Sequence, residues 1–262
     1  VTLNIGQGLI RQLCDLANLA GKEIMEVYNG GFDVETKGDG SPVTVADQRA
    51  EALITRTIRE EISDKIPIVG EEAVSDGKIP EVGSEPFWLV DPLDGTKEFI
   101  NKRKEFTVNI ALIELGLPVF GVVHCPATGD TYWGSRAGAF ASIARNAPRP
   151  IACRQPDDDG IIALVSRSHR APEIDEFLAT LPIKKEISAG SSVKFCRIAK
   201  GEADIYPRVG RTMEWDTAAG HAVLRFAGGS VRTEDGAELG YGKPGFENPN
   251  FIAGNAIFER NS

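Results

Sequence analysis

The chain has 262 residues, of which 42% are hydrophobic and 26% charged, and its formal net charge is −9. These values suit one large domain or two compact lobes of a globular protein, and an acidic chain without a long basic run is not built to track a nucleic-acid polymer. No apolar run approaches the ~20 residues that cross a bilayer, so no integral membrane segment is expected. Without a basic leader, apolar stretch and cleavage site, the default compartment is the cytoplasm. Cys14, Cys125, Cys153 and Cys196 are scattered with no C-x-x-C pair, which reads as buried thiols rather than a disulfide or zinc framework.

Residues 5 to 28 place Ile5, Leu9, Leu13, Leu16, Ala17, Ala20, Ile24 and Val27 on one helical stripe, stopped by Asn29-Gly30-Gly31. A polar loop from Thr36 to Pro42 follows. A second helix has Ala46, Ala50, Leu53, Ile54, Thr57, Ile58 and Ile62 on one face, and Thr44 with Asp47 resembles a capping box at its start. Ile66 to Val69 reads as a short strand ending at Gly70-Glu71-Glu72, and Phe87 to Val90 as the next. Phe106 to Leu115 and Val119 to Cys125 read as strands joined by a turn at Gly116-Leu117-Pro118, with more antiparallel strand from Thr131 to Ile143. The Pro-, Asp- and Arg-rich stretch 146–160 is the expected boundary between an N-terminal lobe, 1–150, and a C-terminal lobe, 151–262. Beyond it come a strand at Ile161 to Val165, helices at Pro172 to Leu181, Ser191 to Lys200 and Asp216 to Phe226, and strands near Ile205, Val231 and Phe251. Helices and strands mix without strict βαβ alternation, which predicts a layered α+β fold.

The stretch Trp88-Leu89-Val90-Asp91-Pro92-Leu93-Asp94-Gly95-Thr96 runs an apolar strand into two acids, a glycine and a hydroxyl. Buried carboxylates cost several kcal/mol unless paired or metal-bound, so this pair suggests hard cations, with the following amides facing a phosphate. Pro92 is expected to end the ladder and expose the Leu93 carbonyl as a further oxygen ligand. Glu71 and Asp216 lie at similar strand or loop ends, and an oxygen-only set suits Mg²⁺. Gly95 allows close backbone approach, and Thr96 adds a hydroxyl that could orient a water. Singly, each motif has a plainer reading: Asp-Pro and Asp-Gly as turn dipeptides, Glu71 as solvated surface, Asp216 as a helix N-cap. Asp47 has its plain reading in the capping box, and a second is open to it: a carboxylate that fixes the Thr96 hydroxyl for proton transfer.

Taken together, SPVTVADQRAE (41–51), VGEEA (69–73), WLVDPLDGTKEFI (88–100), FTVNIALIE (106–114), VSRSH (165–169), GSSVKFC (190–196) and EWDTAAGHAV (214–223) resemble the inositol monophosphatase-like, lithium-sensitive phosphatases over nearly the whole chain. KEFI, VSRSH and GSSVKFC are similar to the bisphosphate nucleotidase branch. That resemblance implies a layered α/β/α/β sandwich of the inositol monophosphatase/fructose-1,6-bisphosphatase type. It implies Mg²⁺-dependent removal of the 3'-phosphate from adenosine 3',5'-bisphosphate, with two or three ions per site. It aligns Glu71, Asp91, Asp94, Asp216 and the Leu93 carbonyl with metal ligands, Asp47 and Thr96 with the water-activating pair, and Gly95 with Thr96 as phosphate-binding backbone. Ser166, His169, Ser192 and Lys194 fall where relatives contact the nucleotide, as do the ligands Glu71, Leu93, Asp94 and Asp216 on the phosphate side. Some relatives associate peripherally with the inner membrane. The sequence carries no signal that sets an oligomeric state.

The mechanism this implies is direct attack by water without a phosphoenzyme. His169 and Lys194 also read as a loop histidine and a solvated helix lysine, whereas Arg208 and Arg211 are a further candidate clamp for the 5'-phosphate. His124, His221, Trp88, Trp133 and Trp215 read as packing residues. The nearest alternative is an inositol monophosphatase or another sugar-phosphate phosphatase of the same superfamily. A haloacid-dehalogenase phosphatase needs D-x-D-x-T, one residue shorter than the D-x-x-D here. A P-loop NTPase lacks its motif, and a non-catalytic sensor would not need the full acidic set.

Overall fold

The computed structural model describes residues 3–38, 40, 42–167 and 170–255. Helix α1 (Gln7–Gly30) buries the predicted stripe from Ile10 to Val27 and ends at Gly31, whose φ is 85°. Two short strands, β1 (Glu35–Thr36) and β2 (Pro42–Val43), pair antiparallel. Helix α2 (Val45–Thr57) begins under Thr44, with Asp47 reaching back to the Thr44 amide, and continues into one π turn at Ile58–Ile62. Strand β3 (Ile68–Gly70) leads into α3 (Glu71–Ser75), a short helix where the sequence suggests a loop.

Strand β4 (Phe87–Asp94) is followed by one helical turn, α4 (Thr96–Ile100), then β5 (Thr107–Glu114), β6 (Leu117–Cys125), β7 (Asp130–Ser135), β8 (Gly138–Ser142) and β9 (Arg149–Ile151). With β3 these form a seven-stranded sheet ordered β3-β4-β5-β6-β7-β8-β9. Only β3 and β4 run parallel; the other neighbours are antiparallel. The β5–β6 turn falls one residue earlier than expected. Leu115 and Gly116 have φ of 51° and 75°, and Glu114 pairs with Leu117, so the chain reverses in a two-residue turn with both central residues left-handed. The predicted Thr131–Ile143 strand divides into the hairpin of β7 and β8.

Strand β10 (Ile161–Ser166), helix α5 (Pro172–Ala179), strand β11 (Ile183–Ala189), helix α6 (Val193–Ala199), strand β12 (Ile205–Arg208), helix α7 (Glu214–Phe226), strand β13 (Gly229–Thr233) and strand β14 (Phe251–Asn255) complete the chain. Their five strands are ordered β11-β10-β12-β14-β13, parallel across the first three and antiparallel across the rest. The sequence gives little sign of β11, because Lys184, Lys185 and Glu186 are exposed at a sheet edge, where charge discourages pairing with other chains.

Three apolar clusters define the layers. Leu13, Ala17 and Ile24 of α1 and Ala50 and Ile54 of α2 pack with Trp88, Val90, Ile110 and Val122 on one face of the large sheet. On its other face Phe87, Leu89, Ala111 and Val123 meet Phe195, Ala218 and Val223 of α6 and α7, which in turn meet Leu164, Tyr206, Val231 and Phe251 of the small sheet. Ile174 and Leu178 of α5 cover Ile161, Ala163 and Val165 on the outer side. The order is thus helix pair, sheet, helix pair, sheet, with α5 outside, as a layered α+β sequence predicts. Helix α7 lies unusually close to the large sheet. A Cβ added at Gly121 would sit 2.6 Å from the Ala219 carbonyl oxygen, and one at Gly134 would sit 2.5 Å from that of Ala222. All four cysteines are free, and burial pushes the Cys125 thiol up to about 12, so it is an inert packing group. Among the described residues no helix is long and apolar enough to cross a membrane.

Candidate active site

Two acids three residues apart on a regular strand point to opposite faces, because side chains alternate. Strand β4 escapes that rule through a bulge. Asp91 pairs with Asn109 and Asp94 with Thr107, so three steps on β4 match two on β5. The cores record the result: Phe87 and Leu89 face α7, whereas Trp88, Val90 and Leu93 face α1 and α2. Asp91 continues the first series, and the extra residue returns Asp94 to it. Pro92 therefore does not end the strand, as the sequence suggests; it lies within the bulge, where no ladder donor is required.

Three further elements bring acids to this point. Glu71 opens α3 at the end of β3, the parallel neighbour of β4. Asp216 stands in the first turn of α7, which begins at Glu214, two residues earlier than predicted. It is not the N-cap: its Oδ2 accepts the Met213 amide at 2.8 Å from a position inside the helix. Asp47 does the same in α2, accepting the Thr44 amide and hydroxyl at 2.8 and 2.7 Å through Oδ2. Its Oδ1 lies 3.2 Å from the Thr96 hydroxyl, which is also 3.2 Å from the Leu93 carbonyl oxygen. Gly95 takes φ 91°, a left-handed turn that lets Thr96 start α4 beside Leu93.

Electrostatically the acids burden one another. Burial, then Glu71, Asp94 and Asp216, raise the Asp91 carboxyl well above its usual range. Burial, then Asp94 and Glu71, do the same to Asp216. Burial pushes Asp94 up to about 6, against the countering Lys194 ammonium and Ser192 amide. One oxygen of each is held by a backbone amide: Asp91 by Leu93 at 3.0 Å, Asp94 by Ser192, Asp216 by Met213. Lys37 bridges Glu71 and Glu72 at 2.7 Å each, and these partners keep the ammonium protonated despite the cost of its burial. Among the described residues no three carboxylates already close on a common point, as expected of like charges held apart by separate amides. The candidate donors, four carboxylates and the Leu93 carbonyl, are all oxygen, a chemistry that suits a hard divalent cation such as magnesium.

A pocket of about 260 Å³ opens over Glu71, Asp94, Gly95, Thr96 and Asp216 and extends to Ser166, Lys194, Tyr206, Arg208 and Arg211. Lys194 is buried, not a solvated helix lysine: its Nζ donates to the Ser191 carbonyl at 2.6 Å and lies 4.9 Å from the Tyr206 ring centre. Arg208 donates to Ser166 Oγ at 3.3 Å. Ser192 lines the pocket, with its hydroxyl turned into the protein, 2.7 Å from Asn109 Oδ1 and 2.8 Å from Thr107 Oγ1. Its amide donates to Asp94. His169 lies outside the described residues. His124 and His221 are buried, with pKa values lowered by burial to about 4 and about 3, and take no part in the pocket.

Sequence reasoning missed Lys37, Asn109 and Glu51 as residues that shape this site. Glu51 had a signal: it lies one helical turn after Asp47, on the same face of α2. Asn109 had none, since its meaning depends on the β4–β5 register.

Comparison with known proteins places the chain as a whole. The model of the inositol monophosphatase family matches residues 7–260. The 3'(2'),5'-bisphosphate nucleotidase CysQ of Escherichia coli (strain K12) is 41% identical over 253 residues, covering 93% of this chain and 98% of the relative. The crystal structure of CysQ from Bacteroides thetaiotaomicron, described as a bacterial member of the inositol monophosphatase family, superposes with a TM-score of 0.76 at 36% identity, covering 92% of this chain and 94% of that one. An IMPase of Thermotoga maritima gives a TM-score of 0.79 at 25% identity, covering 96% and 94%.

Proposed function

This chain belongs to the inositol monophosphatase family, and from that premise we propose that it is a magnesium-dependent 3'(2'),5'-bisphosphate nucleotidase, hydrolysing adenosine 3',5'-bisphosphate to AMP and phosphate. The observation that carries the reading is the convergence of the buried Asp91 with Asp94, Asp216 and Glu71, whose charges help raise the Asp91 carboxyl, at a pocket lined by the last three. Full-length identity with the CysQ nucleotidases supports the substrate class.

Glu71, Asp91, Asp94, Asp216 and the Leu93 carbonyl would hold two or three ions in this reading. When bound, magnesium supplies positive charge for the phosphoryl oxygens and acidifies water. Thr96 orients the attacking water and passes its proton towards Asp47 Oδ1. The Gly95 and Thr96 amides face the phosphate. Lys194, Arg208 and Arg211 bring positive charge to the far end of the pocket, where a second phosphate suits them, and Tyr206 and Phe251 offer aromatic walls to a base. Water attacks directly, so no residue carries the phosphoryl group.

The test is phosphate release under magnesium titration, with adenosine 3',5'-bisphosphate, inositol 1-phosphate and fructose 1,6-bisphosphate compared side by side. Preferred turnover of the adenosine compound is expected. Faster turnover of either sugar phosphate would reassign the substrate, and no release of phosphate from any of them would end the phosphatase reading.

A further inference from the structure

Helix α2 reaches the acid cluster at two points. Asp47 serves Thr96; Glu51, one turn later, lies beneath the elbow between β3 and α3. Glu51 is 7% exposed, and both its oxygens are used: Oε2 accepts the Glu72 amide and Oε1 the Ala73 amide, each at 2.8 Å. These are amides of the first turn of α3, which have no partner within their own helix. Gly70 makes room for the contact, because a Cβ there would lie 2.6 Å from the Glu51 carboxyl carbon. The residue that the elbow presents is Glu71.

A purely structural cap would be a poor use of a buried acid. Helix α3 has five residues, none fully buried, and only Val74 among them packs against the core, so holding it adds little there. Burial also raises the Glu51 carboxyl above its usual range, with the Glu72 and Ala73 amides opposing. A carboxylate kept there at that cost secures the direction of α3 and hence of its leading side chain. We propose that Glu51 is a positioning residue: by clamping the Glu72 and Ala73 amides it aims Glu71 at the cation site and so sets magnesium affinity without touching metal or substrate. The same face of α2 then governs Thr96 through Asp47 and Glu71 through Glu51. This inference rests on the proposed function.

The experiment is calorimetric magnesium titration of the substrate-free full chain, the Glu51→Gln and Glu71→Gln variants and the double variant, with kcat and KM measured at saturating magnesium. In Glu51→Gln the side-chain amide faces a backbone N–H that needs an acceptor, so magnesium binding should weaken by about 10–100-fold, the usual range for a residue behind a metal ligand. KM should stay unchanged, and adding Glu51→Gln to Glu71→Gln should cost little more. Magnesium binding by Glu51→Gln equal to the parent's, or an undiminished loss in the Glu71→Gln background, would overturn the proposal. Should Glu51→Gln fail to fold, Glu51→Asp, which keeps the charge but stops short of the amides, is held to the same two criteria. A parent chain that binds no magnesium overturns the functional reading and this inference together; a parent that binds beside an unaffected variant overturns this inference alone.

Discussion

Asp47 splits its carboxylate between two tasks, one oxygen taking the Thr44 amide at 2.8 Å and the other the Thr96 hydroxyl at 3.2 Å. The helix cap thereby fixes the acid that orients the hydroxyl. Thr96→Ala should lower kcat by about 10²–10⁴-fold, the range for loss of a positioned proton acceptor or donor, with calorimetric magnesium affinity unchanged. A normal kcat would remove Thr96 from the reaction.

Asp91 is 1% exposed and faces three other acids. Asp91→Asn should abolish phosphate release while raising the melting temperature of the metal-free chain by about 2–4 °C, the response of a chain this size to roughly 1 kcal/mol of relieved repulsion. Thermal melts in chelator, alongside the phosphate assay, check both halves. Retained activity would contradict the ligand assignment.

The raised Asp94 carboxyl carries a sign. Its ordinary value is 3.8 and its folded value about 6, set first by burial. Below the ordinary value both states hold the proton and no stability is lost. As pH rises through that interval the unfolded chain releases the proton first, so metal-free stability falls. Melting temperatures in chelator should therefore decline between pH 4 and 6 and decline less steeply in Asp94→Asn. Saturating magnesium should flatten the slope in the parent, because bound carboxylates are already ionised.

Lys194 is held between the Ser191 carbonyl and the Tyr206 ring on the pocket wall. Lys194→Ala should raise KM for the adenosine bisphosphate well beyond its effect on kcat. Steady-state kinetics at saturating magnesium decides this, and an unchanged KM would free Lys194 from substrate binding.

Helix α7 carries Asp216 and rests on Gly121 and Gly134 with no space for a methyl group. Gly134→Ala should destabilise the chain by about 1–3 kcal/mol, as over-packing does. Denaturant unfolding measures the loss.

Much of this was written in the sequence, and the exceptions share a cause. The stripes of α1 and α2 and the Thr44–Asp47 cap follow from helical spacing, which is local. The motif Asp91, Asp94, Gly95 and Thr96 stands out in the sequence, but the return of Asp94 to the face of Asp91 depends on the β4–β5 register. The direction of Ser192 was not legible, because Asn109 and Thr107 reach it from a strand 83 and 85 residues away. The edge strand β11 hid behind its charges, and α3 behind the brevity of its five residues. Glu51 lacked meaning until the β3–α3 elbow was seen above it. Features set by one element were readable; those set by the meeting of two were not.

The irregular step between Asp91 and Asp94 makes chain count, rather than residue identity, the decisive variable at this point. Substituting Pro92 or Leu93 leaves the tally intact, but removing either would rotate the second acid through the sheet to the side of α1, into apolar packing. Both carboxylates would survive in the sequence and only one would face α7. Insertions and deletions here should thus be far more damaging than replacements, and a homologue that has lost or gained a single residue in this interval should be suspected of having abandoned the chemistry even where every acid remains.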